Sequence, residues 1–198
     1  RARGDITARE WRIARGSAVA YGSNIRFEQS TVALAAPYLF HFRGAAAGVD
    51  LRVLPETIPV PHVESLLAFD YDVTGQFTTP FIAGQARFDD SDFLGARVAS
   101  GTIGSIDTLA SPVTYSGEGG ISGVVLHRFG TELDWAWLQD PRYAGTLAGH
   151  FRVEGAGSDS ATMTLDAFGR LARADLFDGT LQAADVAVHI ASGSLTGS

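Results

Sequence analysis

From Gly16 onward, large apolar residues alternate with polar or small ones at a period of two. Val19 and Tyr21 alternate with Ala18 and Ala20, Ile25 and Phe27 with Arg26 and Glu28, and Val32 and Leu34 follow. Tyr38, Phe40 and Phe42 alternate with Leu39, His41 and Arg43, and Leu67, Phe69, Tyr71 and Val73 with Ala68, Asp70, Asp72 and Thr74. Phe81 to Phe88 reads as a weaker strand. Leu147 to Val153, Met163 to Asp166 and Asp185 to Ile190 repeat the pattern. Such alternation assigns one set of side chains to each face of a strand. Turn chemistry punctuates the runs at Tyr21-Gly22-Ser23-Asn24, Asp89-Asp90-Ser91-Asp92, Ser116 to Gly120, Gly155 to Asp159 and Asp178-Gly179, where Gly, Asp, Asn and Ser meet the backbone demands of tight turns. The fold class is therefore all-β, built from many short antiparallel strands.

Two segments interrupt the pattern. Leu54 to Pro61 holds Pro55, Pro59 and Pro61 and is unsuited to a central strand. It reads as an extended crossing, preceded by a helical turn at Val49 to Val53. One short helix is expected near 129–139, with Thr131 as N-cap, Asp134 in the first turn, Leu133 and Trp137 sharing a face with Phe129, and Pro141 beyond the end. Residues 1–16 are Arg-rich, with Arg1, Arg3, Arg9, Arg12 and Arg15. They read either as a polybasic surface beside an anionic membrane or, the favoured reading, as a linker or an edge. Residues 17–198 read as one β-rich domain.

Composition mainly removes possibilities. The 198 residues carry a formal net charge of −7, with 15 basic residues that are all Arg, and no Cys. No Lys means no Schiff-base chemistry and no Walker-type phosphate loop. No Cys means no thiolate metal site, catalytic thiol or disulfide. The acidic balance argues against nucleic acid as a partner, and no apolar run reaches the roughly 20 residues of a membrane-spanning helix. The chain opens on Arg1 and is read as an excerpt of a longer one.

Catalytic motifs are missing as well. The five His residues, His41, His62, His127, His150 and His189, are dispersed, and neither His-Glu-x-x-His nor Gly-x-Ser-x-Gly occurs. Asp70 to Gly75 begins like a calcium loop, but Phe81 occupies the position of the bidentate Glu. Asp89, Asp90 and Asp92 could serve as paired carboxylates of a glycosidase, but they read more simply as a turn. Trp135 and Trp137 could stack on sugars. Gly117 to Gly123 lacks a dinucleotide-binding spacing. The expectation is a protein that is not an enzyme and takes no cofactor and no metal. The alternating faces either build the dry core of a closed sandwich or line the apolar trough of an open, curved sheet, and the period does not distinguish the two.

Gly84-x-Ala86-Arg87-Phe88 leading into Ser91 to Ala96, Leu171 to Thr180 followed by Ala184 to Val188, and Val49 to Pro55 resemble the phrasing of the AsmA-like and TamB-like proteins of bacteria with two membranes. The resemblance covers most of 17–198. It implies an open, taco-like β-groove that carries phospholipid, or assists outer-membrane assembly, between the inner and outer membranes. Partners would be phospholipid acyl chains and outer-membrane assembly proteins. The setting would be the periplasm, with inner-membrane anchoring through a segment outside this chain. Groove-lining residues would be Phe40, Phe42, Phe69, Tyr71, Val73, Phe151, Val153, Val186, Val188 and Ile190, whose ordinary alternative is core packing. The competing readings are a closed structural or adhesion-like β-sandwich and a carbohydrate-binding β-domain.

Overall fold

Period-two alternation becomes strand after strand, each pairing with the next in the chain. The computed structural model describes residues 1–56, 60–78, 81–141, 145–157, 163–176, 179–191 and 194–197, excepting the side chains of 137, 173–176, 181, 194, 195 and 197. The strands are β1 (Ala2–Ile6), β2 (Glu10–Ala20), β3 (Ser23–Ala33), β4 (Leu39–Val49), β5 (Ser65–Gln76), β6 (Phe81–Phe88), β7 (Ser91–Phe93), β8 (Ala96–Val98), β9 (Ile103–Asp107), β10 (Thr114–Val125), β11 (Thr146–Ala156), β12 (Thr164–Leu176), β13 (Gly179–Ala191) and β14 (Ser194–Gly197). All fourteen belong to one antiparallel sheet. β7 extends the line of β6 along β5, and β8 extends the line of β9 along β10. The path is thus a continuous meander. Among the described residues β1 pairs only with β2 and β14 only with β13, so the sheet is open and no second sheet makes it a sandwich.

The turns follow from local chemistry. Tyr21 and Gly22 both have positive φ, 49° and 74°, the pairing that a two-residue hairpin turn requires. Leu94 and Gly95 repeat it between β7 and β8, at 54° and 77°. Residues 1–16, read from sequence as a linker or an edge, supply β1 and the first part of β2 at the sheet margin.

A paired irregularity crosses β2 and β3. Ala14 and Arg15 are both exposed, as are Glu28 and Gln29, and the register shifts between β1 and β2 and between β3 and β4 at this level. An extra residue on each strand reverses which parity faces which side. The ladder bonds lost there are replaced by side chains. Ser30, 1% exposed, accepts from the Arg43 amide at 3.0 Å and donates to its carbonyl at 3.1 Å. The Tyr71 hydroxyl donates to the Arg26 carbonyl at 2.8 Å.

Helix α1 (Leu126–Glu132) starts earlier than expected, and Ala136–Gln139 is a separate 3₁₀ turn. Thr131 is not the N-cap. It lies inside the helix, its hydroxyl donating to the His127 carbonyl at 3.0 Å, while Val125 takes the cap position without a side-chain bond. The reason is tertiary: the Leu126 amide donates to the Gly145 carbonyl at 3.1 Å, so the chain passes straight from β10 into the helix. Asp134 lies beyond the helix at φ 55°. The helical turn expected near Val49 to Val53 is a 3₁₀ turn, Leu51–Val53, capped by Asp50, which accepts from the Arg52 amide at 3.1 Å. Thr57 to Pro59, in the middle of the Pro-rich crossing, lie outside the described residues.

The buried core is small and lies at one end of the strands. Ala46, Val49, Leu51, Val63, Leu67 and Leu94 form it, with Leu54, Val60, Phe93, Phe129 and Leu133 packed against it. The chain exposes 12106 Å², against about 9,000 Å² for a compact monomer of this mass. An excess of this size is what a single layer with both faces exposed leaves.

Gly75 tests the packing of that layer. A Cβ there would run into the Phe40 ring and the Phe81 carbonyl, so Gly75→Ala is expected to destabilise by about 1–3 kcal/mol. Thermal unfolding followed by circular dichroism measures this, and an unchanged midpoint would contradict the packing described.

Candidate functional site

Directly opposed residues in an antiparallel ladder share a face, so the register can be followed across the sheet. Tyr71 faces Ala86, then Gly104, Gly117, Val153, Ala167 and Val188 in turn. The next row runs from Phe42 through Val73, Gly84, Ile106, Tyr115, Gly155 and Leu165 to Ile190. Phe40 lies opposite Gly75, and Phe151 opposite Gly119 and Gly169, with Val186 beyond. Phe69 is two residues from Tyr71 on β5. All ten residues expected to line a groove therefore lie on one face. Phe40 is buried at 9% exposure and the other nine are half-buried.

The same face gains residues that sequence reading missed. Trp11, Val32 and Phe27 extend it across β2 and β3, and Ile106 and Tyr115 bridge its middle. Trp11 and Phe27 are out of phase because the paired irregularity reverses parity between them. Ile106 and Tyr115 flank Gly-rich stretches in which alternation is weak. Their signal was the recurrence of apolar residues opposite glycine, which becomes visible only once the register is known.

Aromatic rings lie over glycines of the neighbouring strand. A Cβ on Gly75 would strike the Phe40 ring, one on Gly155 the Tyr115 ring, and one on Gly44 would stand 3.0 Å from the Tyr71 hydroxyl. Phe40 also stacks on Phe42 at 4.7 Å between centroids and packs against Phe77 at 4.8 Å, while Phe27 meets Phe42 edge-on at 5.6 Å. Rings laid along the sheet cover backbone and half-bury one another. Burial pushes the Tyr71 hydroxyl up to about 12 and raises that of Tyr115.

The cap closes over one end of this face. Val49, Leu67, Phe69, Phe88 and Phe93 come from the sheet, and Leu51, Val63, Phe129 and Leu133 from the connections between β4 and β5 and between β10 and β11. Phe93 and Phe129 meet edge-on at 5.7 Å, and Arg128 pairs with Glu64 at 2.6 Å.

The opposite face is charged. Asp72 receives His41 at 2.6 Å and Arg43 at 3.0 Å, and Asp166 receives His189 at 2.6 Å. Two hollows of about 500 and 520 Å³ open among side chains of this face. One holds Arg26, Arg43, Asp70 and Arg87; the other holds Glu118, His150, Arg152 and Phe168. Asp70 and Asp72 project here as the polar positions of β5.

The other sequence candidates are occupied structurally. Asp90 binds the Arg97 guanidinium at 2.8 Å, which holds its carboxyl below the usual range, and also accepts from the Ser100 amide. Asp92 accepts from the Gly95 amide at 2.9 Å. Both carboxylates thus serve the turn. Gly117 to Gly123 lie within β10. Trp135 stands at the start of the 3₁₀ turn, and the Trp137 side chain lies outside the described set. Among the described residues no group of three or more His, Asp or Glu could hold a metal ion. No family model, curated protein or solved structure matches the chain.

Because Tyr71 keeps its proton to about pH 12 when folded and to about 10 when unfolded, its contribution to stability is complete below pH 10 and is lost between 10 and 12. Absorbance titration at the tyrosinate band should show a phenol titrating near pH 12 that disappears in Tyr71→Phe. Titration of every phenol near pH 10 in the folded protein would contradict this.

Proposed function

We propose that this chain is a non-enzymatic segment of a membrane-bridging protein whose apolar β-face carries phospholipid acyl chains across the periplasm. The observation that supports the reading is the continuity of that face. It runs from Trp11 on β2 to Ile190 on β13 without a charged residue among the register partners traced above, and among the described residues no second sheet faces it. Acyl chains need such a surface and little else, since each buried CH₂ contributes about 0.8 kcal/mol. The ring-over-glycine packing fits this role by leaving the surface low and free of directional polar groups. Assistance to outer-membrane assembly is a variant in which an open sheet edge pairs with a client strand.

The test is mass spectrometry of lipid extracted from the chain after detergent-free purification, with an unrelated β-sandwich as control. Phospholipid well above control is expected, falling several-fold in Val188→Asp, whose carboxylate would stand on the apolar face. The polar-face variant Ala187→Asp should retain lipid. A folded protein with no lipid above control would overturn the proposal.

A further inference from the structure

Charge is segregated along the chain. Residues 1–43 carry seven Arg against three acidic residues, whereas residues 44–198 carry eight Arg against nineteen. Because strand order follows chain order from β1 to β6 and again from β9 to β14, this segregation is spatial: one margin of the sheet is basic and the body is acidic.

Register concentrates the basic residues further. Arg3 lies directly opposite Arg15, with Glu28 beyond it, and Arg26 lies opposite Ser17 on the same charged face. Arg12 pairs with Glu10 and Arg43 with Asp72. Among the described residues no acidic side chain pairs with Arg3, Arg15 or Arg26, and all three are exposed. Like charges directly opposed across a ladder are destabilising; Glu28 offsets part of that repulsion at Arg15, and an external anion relieves what is left at Arg3 and Arg26. Beside them stand two exposed apolar side chains: Val19, 75% exposed, opposite Asn24 and one ladder step from Arg26, and Tyr21, 55% exposed, in the following turn.

We propose that the charged face of β1–β3 docks on a bilayer surface rich in anionic phospholipid, with Arg3, Arg15 and Arg26 on the headgroup phosphates and Val19 and Tyr21 at the interface. Basic residues beside exposed aromatic and aliphatic ones suit such an interface. The acidic body does not oppose this contact. β5 lies three strand spacings from Arg15 on β2, about 14 Å, which exceeds the roughly 10 Å screening length at moderate salt. Asp70 stands only two spacings from Arg26 in the same row, and there Arg87 lies directly opposite it and offsets its charge. The same asymmetry sets orientation, with the basic margin toward the bilayer and the acidic strands away. A long flexible polyanion would reach those acidic strands and be repelled, which favours the bilayer.

The test is co-sedimentation of the 198-residue chain with vesicles of phosphatidylcholine alone or with one-third phosphatidylglycerol. Binding is expected only to the anionic vesicles, lost in high salt and weakened about a hundredfold in Arg3→Gln/Arg15→Gln/Arg26→Gln. The matching triple Arg→Lys variant should keep most of the binding, which separates charge from folding, and Val19→Ser/Tyr21→Ser should weaken it severalfold. Equal binding to both vesicle types, no binding to either, or an unaffected triple Gln variant overturns the proposal. So does equally tight binding to heparin. Lipid that copurifies on the apolar face should be unchanged in the triple Gln variant, so this proposal and the carrier reading fail separately.

Discussion

A β-sheet with an apolar face has to keep that face from water, and across most of this one, among the described residues, the covering comes from the sheet itself. The buried core occupies one end of the strands, where the cap folds over. Elsewhere Ile13 and Phe40 are buried and most other large side chains of this face are half-buried, covered by their neighbours in the layer. What makes this workable is the placement of glycine opposite aromatic residues: Gly75 beneath Phe40, Gly155 beneath Tyr115, and Gly44 beneath Tyr71. With no Cβ in the way, a ring lies flat and covers the backbone of the adjacent strand. A standing ring would need a second layer to pack against. The high glycine content, 23 of 198, is thus partly a consequence of building one layer.

The same constraint explains why the polar groups on this face are few and internally satisfied. Tyr71 places a hydroxyl among rings, but that hydroxyl is spent on the Arg26 carbonyl left open by the strand irregularity. Ser30 does the equivalent for Arg43. Both residues mend the ladder where β2 and β3 each carry an extra residue. The irregularity and its repair belong together: without Ser30 and Tyr71, the extra residues would leave backbone groups unpaired at a half-buried level, at a cost of about 1–3 kcal/mol each.

How much of this was legible follows from which residues carry alternation. β4 and β5 were readable because Phe40 and Phe42, and Phe69, Tyr71 and Val73, alternate with charged, polar or small residues without a break, and β6 read more weakly because Gly84 and Ala86 hold the apolar-face positions before Phe88. β9 and most of β10 were not, because Gly104, Gly117 and Gly119 replace the large members of the alternation and remove the signal while keeping the geometry. β2 was half-read because Ala14 and Arg15 reverse parity inside it. The helix was placed three residues late because its start is satisfied by the Gly145 carbonyl rather than by a capping side chain. The coincidence of all ten apolar candidates on one face was partly implicit in alternation, since each strand offers one apolar face. That the faces agree between strands depends on register, which the sequence encodes only through its turns.

The meander carries these local facts to the scale of the molecule. In a sheet whose path almost never doubles back, position in the chain becomes position in space, so a gradient of composition becomes a gradient across the structure. Here the gradient is in charge, basic at β1–β3 and acidic beyond, and it runs at right angles to the division between faces. The two are independent because they arise from different periods, one of two residues along a strand and one of many residues along the chain. An apolar face and a charged margin can therefore coexist on a single layer without either compromising the other, and a substitution at Val188 and one at Arg15 act on surfaces that share no side chain.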